Sequence, residues 1–197
     1  MKKINVAVLL LSGIILSNLT FAQGSTVKQN GMKEKTVMVG GAPMYPSRNI
    51  IENAVNSQDH TTLVAAVKAA GLVETLQGTG PFTVFAPTNA AFNMLPAGTV
   101  DNLLKPENKG TLTSILTYHV VPGRLDSKEL SKWIKNGKGS TELTTVEGGK
   151  LWIMAKGNQL WLKDEKGGMA AITIKDVQQS NGVIHVIDHV LMPELQH

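Results

Sequence analysis

The sequence predicts a single α+β domain, with helices from the N-terminal half packed on a mostly antiparallel sheet built from the C-terminal half. Three observations carry this. Between about residue 50 and residue 137, apolar side chains recur at helical spacing, set off by capping residues and glycines. From Ser140 onward they alternate at a period of two. One β-rich run, Phe82-Thr83-Val84-Phe85, stands among the helices and is expected to join the strands from the far end of the chain.

Ahead of the domain the chain reads as an export signal. Lys2 and Lys3 precede an apolar run over residues 6–16, then Ser17 and Asn18, then Thr20-Phe21-Ala22 with small residues where a signal peptidase inspects. The run is interrupted by Ser12 and Gly13 and falls short of the roughly 20 apolar residues that span a bilayer. Residues 1–22 are therefore expected to be removed, leaving a secreted or periplasmic chain with no transmembrane segment. Residues 23–46 are polar and broken, as in Gly24-Ser25-Thr26 and Gly40-Gly41-Ala42-Pro43, and are read as a flexible tether. Thr36-Val37-Met38-Val39 could pair as a short strand, but the glycines after it favour a mobile arm. The domain is placed at 47–193, with 194–197 as a tail.

Composition narrows the chemistry. There is no cysteine, hence no thioether lipid anchor, thiol nucleophile, iron–sulfur site or zinc–cysteine cluster. Without disulfides the domain must stand on its hydrophobic core, and roughly 150 patterned residues suffice for one. Removing Lys2 and Lys3 lowers the formal net charge from +4 to +2. No basic run interleaves with aromatics, so nucleic acid is not an expected partner.

Each element has a local reason. Ile50, Ile51 and Val55 share one helical face; Asp59 or Thr61 is placed to cap a second helix carrying Leu63, Val64 and Val67 and closed by Gly71. Leu72, Val73 and Leu76 extend that surface to Gly78-Thr79-Gly80-Pro81. After the 82–85 strand, Pro87 withholds a ladder donor and Thr88 caps a short helix holding Ala91 and Phe92. Thr99 is placed to cap another with Val100, Leu103 and Leu104. A longer helix follows Pro106 to about His119, presenting Leu112, Ile115 and Leu116. Ser127 is expected to cap a helix with Leu130, Trp133 and Ile134, stopped by Gly137. Strands are expected at 141–146, 150–155, 159–163, 170–177 and 183–191.

One hairpin can be built from sequence alone. Gly157-Asn158 makes a two-residue loop, because glycine tolerates the positive φ required at its first position. Lys156 then opposes Gln159, Met154 opposes Trp161 and Trp152 opposes Lys163. Leu151, Ile153, Ala155, Leu160 and Leu162 take the core face. Lys150, Trp152, Met154, Lys156, Trp161 and Lys163 take the other, an aromatic–thioether patch with a lysine rim. Two arrangements fit: a helix or the N-terminal arm covers the tryptophans, or part of the patch is exposed and engages a protein or sugar.

Reactive constellations are sparse. His185 and His189 would suit a shared metal ion on a helix, but on a strand they lie roughly 13 Å apart. Strand alternation would also turn Asp188 away from both, leaving no Ser-His-Asp relay. No nucleophile elbow, His-Glu-x-x-His helix or phosphate-cradling loop occurs. No enzyme activity, metal or cofactor is expected.

Three separated segments carry a resemblance: the ten residues Thr83-Val84-Phe85-Ala86-Pro87-Thr88-Asn89-Ala90-Ala91-Phe92, then Tyr118-His119, then Asn181-Gly182-Val183-Ile184-His185-Val186-Ile187-Asp188. With the approach around Asp59-His60-Thr61-Thr62-Leu63, they resemble the fasciclin domain family over about 47–193. Thr88, Asn89, Asn181, Gly182, His185 and Asp188 read as structural positions, with Asn181-Gly182 supplying a tight turn. Tyr118-His119 matches the pair that animal relatives associate with adhesion to integrin-type receptors. A histidine at a helix end also serves as a hydrogen-bonded structural group. The resemblance implies a secreted, non-catalytic binding or adhesion module whose partner is a protein or polysaccharide at a cell surface, in a matrix or in a biofilm. The alternative is an extracytoplasmic carrier of a small apolar or aromatic ligand such as a haem or sugar, motivated by Trp152, Met154 and Trp161.

Overall fold

A computed structural model describes residues 34–194. The expected signal peptide, residues 23–33 of the tether and residues 195–197 of the tail lie outside the described residues.

The first departure from expectation comes at the start. Val37–Val39 (β1) and Ala42–Met44 (β2) form an antiparallel hairpin, turning on Gly40 and Gly41 at φ of 56° and 76°. Val39 and Met44 are buried in the core. A β-carbon on Gly40 would stand 2.3 Å from Ser57 Oγ, so the glycine also permits a close approach. Residues 37–44 are thus part of the folded unit, not of a tether: two apolar side chains on one face outweigh the local glycine signal.

Ile50–Ala54 (α1) opens with a capping box, Asn49 accepting from the Glu52 amide and Glu52 from the Asn49 amide. Thr61–Ala70 (α2) ends at Gly71 in the left-handed region, as its sequence predicts, but neither Asp59 nor Thr61 caps it. The cap is remote: Asn89 Oδ1 accepts from the Thr62 amide at 3.0 Å while its Nδ2 donates to the Gln58 carbonyl at 2.8 Å. Val73–Gln77 (α3) leads to Phe82–Pro87 (β3); Asn89–Asn93 (α4) follows, with Thr88 capping as expected. Thr99–Leu103 (α5) begins after Gly98 without a side-chain cap, so Thr99 is inside the helix. Lys109–Tyr118 (α6), Val120–Pro122 (β4) and Ser127–Asn136 (α7) complete the helical half. Asp126, not Ser127, caps α7, accepting from the Lys128 and Glu129 amides.

The strands are Ser140–Thr144 (β5), Lys150–Lys156 (β6), Gln159–Lys163 (β7), Met169–Gln179 (β8) and Gly182–Ile187 (β9). With β3 and β4 they make a seven-stranded sheet in the order β4-β3-β9-β8-β7-β6-β5. Every pairing is antiparallel except β3 with β9, which aligns Phe82–Pro87 with Gly182–Ile187. Strand β9 is buried throughout, the continuous apolar pattern of a central strand. It ends at Ile187, four residues sooner than its hydropathy suggests.

Two cores flank this sheet. One joins α1, α2, α3 and α6 to β3 and β9 through residues such as Leu63, Val67, Leu116 and Ile184; the other joins α7 to β5–β8 through Leu130, Leu151, Ile153 and Leu162. Strand β8 serves both, pairing with β7 at its start and with β9 from Ile172 to Gln179, across register shifts between Ile172 and Val177. Asp176, at φ 61°, sits in that irregularity and bends the strand.

Candidate functional site

The hairpin of β6 and β7 forms in the register its sequence specifies: Lys156 faces Gln159, Met154 faces Trp161 and Trp152 faces Lys163. Gly157 takes φ 61°. Leu151, Ile153, Leu160 and Leu162 are buried as expected; Ala155 is exposed, because the hairpin tip projects past the core.

On the other face Trp152, Met154 and Trp161 are each half-buried. Neither expected arrangement holds alone: the rings are not covered over, and they are not free. Trp152 and Trp161 sit on adjacent strands in diagonal positions, about 7–8 Å apart by sheet geometry. Lys156 Nζ lies 4.8 Å from the Trp161 ring centroid, a cation–π contact that shields one end. Lys150 and Lys163 are exposed, Lys150 reaching Glu142 at 3.2 Å. Ser140, Trp152, Met154 and Lys163 border a shallow depression closed on one side by the loop 164–167. Flat apolar rings within a mixed rim of lysines and the carboxylates of Glu142 and Glu165 can stack on a planar or sugar-like surface.

Tyr118 and His119 are placed elsewhere. Both are buried, so the pair matching the animal adhesion motif is not a contact surface in this fold. Tyr118 donates to the Lys150 carbonyl at 2.6 Å and accepts from the Glu165 amide at 3.1 Å, and burial raises the pKa of its hydroxyl. His119 Nδ1 contacts the Ile115 carbonyl at 2.7 Å, and its Nε2 accepts from the Leu191 amide at 3.0 Å. These partners require a neutral ring protonated on Nδ1. Burial drives the pKa from 6.5 down to about 4, against the opposing pull of the Ile115 carbonyl.

The remaining motif residues are joints of the framework. Asn181 Oδ1 accepts from the Ile50 amide at 3.0 Å, and its Nδ2 donates to the Leu76 and Gly78 carbonyls at 2.8 Å each. One side chain thus ties the start of α1, the end of α3 and the β8–β9 turn. That turn is Ser180-Asn181; Gly182 is already the first residue of β9. Its role is not turn geometry but contact: a β-carbon there would stand 2.1 Å from the Phe82 carbonyl oxygen. His185 Nε2 contacts the Leu125 carbonyl at 2.8 Å, its Nδ1 accepts from the Asp176 amide at 3.3 Å, and its ring stacks on Phe85. Burial lowers its pKa. Asp188 does not turn away from His189, since the strand has already ended; its Oδ1 lies 2.8 Å from His189 Nδ1 and also accepts from the Ala171 amide.

Sequence patterns leave two joints unseen. Arg124 donates to the carbonyls of Gln179, Ser180 and Gly182 and to Gln178 Oε1, holding the β8–β9 turn. Asp164 is buried, accepting from the Gly168 and Met192 amides, so it anchors the chain's exit from the domain. Neither residue has a periodic or motif signature. Among the described residues no three His, Asp or Glu side chains converge as a metal set, and no helix is long and apolar enough to cross a membrane.

Comparison with known proteins agrees with this architecture. The fasciclin domain model matches residues 58–193. Protein sll1483 of Synechocystis is 46% identical over 162 residues, covering 82% of this chain and 83% of that protein. Immunogenic protein MPB70 of Mycobacterium bovis is 40% identical over 145 residues, covering 71% of this chain and 66% of that one. In fold, a FAS1 domain pair from the insect cell adhesion molecule Fasciclin I superposes with a TM-score of 0.66 at 18% identity, covering 82% of this chain and 58% of that chain. The chain belongs to the fasciclin domain family, whose members have adhesion and cell-surface roles.

Proposed function

We propose that this protein is an exported, non-catalytic adhesion module that engages a protein or polysaccharide at a cell surface or in an extracellular matrix. The observation that carries this reading is the outer face of β6 and β7, where Trp152, Met154 and Trp161 stay half-exposed inside a rim of Lys150, Lys156 and Lys163. Large apolar side chains left partly in water across adjacent strands are a surface suited to contact. The N-terminal signal pattern, with a mature chain beginning at Gln23, supports a role outside the cytoplasm. Family membership supports adhesion as the class of activity.

The test is retention. Purified protein immobilised on beads is expected to hold bacterial cells or matrix polysaccharide, and the double variant W152A/W161A is expected to lose that retention at least tenfold while keeping its circular dichroism spectrum. Equal retention by the wild type and the double variant would remove the sheet face from consideration.

A further inference from the structure

The face of the sheet opposite the tryptophans carries α7, and α7 turns a row of cations to solvent. Leu130 and Ile134 are buried in the second core with Leu151, Ile153 and Leu162, and Trp133 packs against the same cluster. Strand alternation puts Trp152, Met154 and Trp161 on the other side of those strands. At about 100° per residue, Lys128, Lys132 and Lys135 fall within about 60° of arc at the centre of the outward face. All three are exposed, as is Lys138 in the turn that follows. Along the axis the three are stepped by about 6 Å and then by about 4.5 Å. Lys138 adds a fourth cation at the C-terminal end.

These charges find no counterpart within the domain. The ion pairs among the described residues join Lys150 to Glu142 and His189 to Asp188, and neither includes a lysine of α7. Carboxylates on α7 and its neighbours are committed elsewhere: Asp126 caps the helix, Asp176 accepts from the Ser127 amide at 2.6 Å, and Glu142 belongs to Lys150. Glu129 is half-buried on the flank of the helix, about 60° of arc from the nearest lysine of the row. Like charges three and four residues apart repel and weaken a helix. Attraction to the carbonyls of the helix C-terminus accounts for Lys135 and Lys138, but Lys128 stands in the first turn, where a cation opposes the helix dipole. The row therefore works against the helix that carries it and is complementary to an external anion.

The spacing of the row and the residues beside it indicate the chemistry of that anion. A linear polysaccharide with one carboxylate on each sugar presents its charges at intervals of one ring length, close to the step between successive lysines. A lipid surface is a poorer match, because helices that lie on membranes insert apolar side chains beside their cations, and here Leu130, Trp133 and Ile134 all turn inward. Single-stranded nucleic acid requires exposed rings on which bases stack, and the outward face of α7 has none. We propose that this face binds a linear acidic polysaccharide of the polyuronate class, its carboxylates at Lys128, Lys132 and Lys135. The site is separate from the tryptophan face, so the domain presents two binding surfaces on opposite sides of one sheet.

The experiment is titration of the purified protein with alginate oligomers in calcium-free buffer, followed by calorimetry and by amide NMR signals. Neutral dextran and phosphatidylglycerol vesicles serve as controls. Alginate is expected to bind and dextran is not, with affinity falling roughly tenfold between about 50 and 200 mM salt. In the wild type the shifted amides are expected over residues 128–138, while the Trp152 and Trp161 indoles stay in place. The triple variant K128Q/K132Q/K135Q keeps good helix formers at exposed positions, so its circular dichroism spectrum is expected to match the wild type. Its affinity for alginate is expected to drop at least about tenfold. The variant K68Q/K105Q/K109Q removes the same charge from exposed positions elsewhere and is expected to bind as the wild type does, as is W152A/W161A, which separates this site from the adhesion reading. The proposal is overturned by absence of alginate binding, by equal losses in the two lysine variants, by tighter binding to the vesicles, or by amide shifts that avoid α7.

Discussion

Acid should weaken this domain through its buried histidines. His119 is the clearest case. Desolvation holds its pKa at about 4 in the folded protein, and in the unfolded chain the ring returns to about 6.5. Between those values the unfolded chain takes up a proton that the folded chain refuses, so stability is complete above pH 6.5 and falls as the pH drops towards 4. The whole interval corresponds to about 3 kcal/mol, of which about 2 kcal/mol is lost between pH 7 and pH 5. For a domain of this size that is roughly 4–8 °C in Tm. His60 and His185 are lowered by the same cause and add to the loss. Urea unfolding at pH 7, 6 and 5 measures the effect, and an imidazole NMR titration assigns it to His119. In a His119→Gln variant the protein should be less stable overall, yet its dependence on pH should be shallower. Stability that stays level within about 0.5 kcal/mol from pH 7 to pH 5, or a His119 ring that titrates near 6.5 in the folded protein, would refute the reasoning.

Other changes test the joints and the surface. Asn181→Ala leaves the Ile50 amide and the Leu76 and Gly78 carbonyls without their partner, at a cost of about 3–5 kcal/mol in urea unfolding; a loss under about 1 kcal/mol would deny the residue its role as a hub. Tyr118→Phe removes the bond to Lys150 and the acceptor for Glu165, and should cost about 1.5–3 kcal/mol while leaving surface retention untouched; a selective loss of retention would restore the pair as a contact site. Trp152→Ala and Trp161→Ala, at half-buried positions, should each cost only about 1–2 kcal/mol of stability while weakening adhesion.

Much of the fold is legible in the chain because it rests on short-range physics. The β6–β7 register follows from one glycine loop and strict alternation, and it holds residue for residue. Thr88 caps α4 because a hydroxyl three residues before an orphan amide needs nothing else. Where a distant group competes, local inference loses. Asn89 reaches across to the start of α2 and displaces the adjacent capping candidates. Residues 37–44 look mobile by composition, yet Val39 and Met44 find a core to enter. Strand β9 stops at Ile187, and the two following polar residues pair with each other instead of alternating.

The α+β class, the family, the antiparallel hairpin and the membership of the tryptophan–lysine face can all be read along the chain. These depend on side-chain period, turn chemistry and motif spacing, all of which are written within a few residues. What each motif faces is set by the packing of the folded domain. That packing buries Tyr118 and His119, makes Asn181 a junction of three segments, and turns Gly182 into a close contact with Phe82. Burial and long-range hydrogen bonding arise from elements far apart in the chain coming together, and no local pattern encodes which elements those will be.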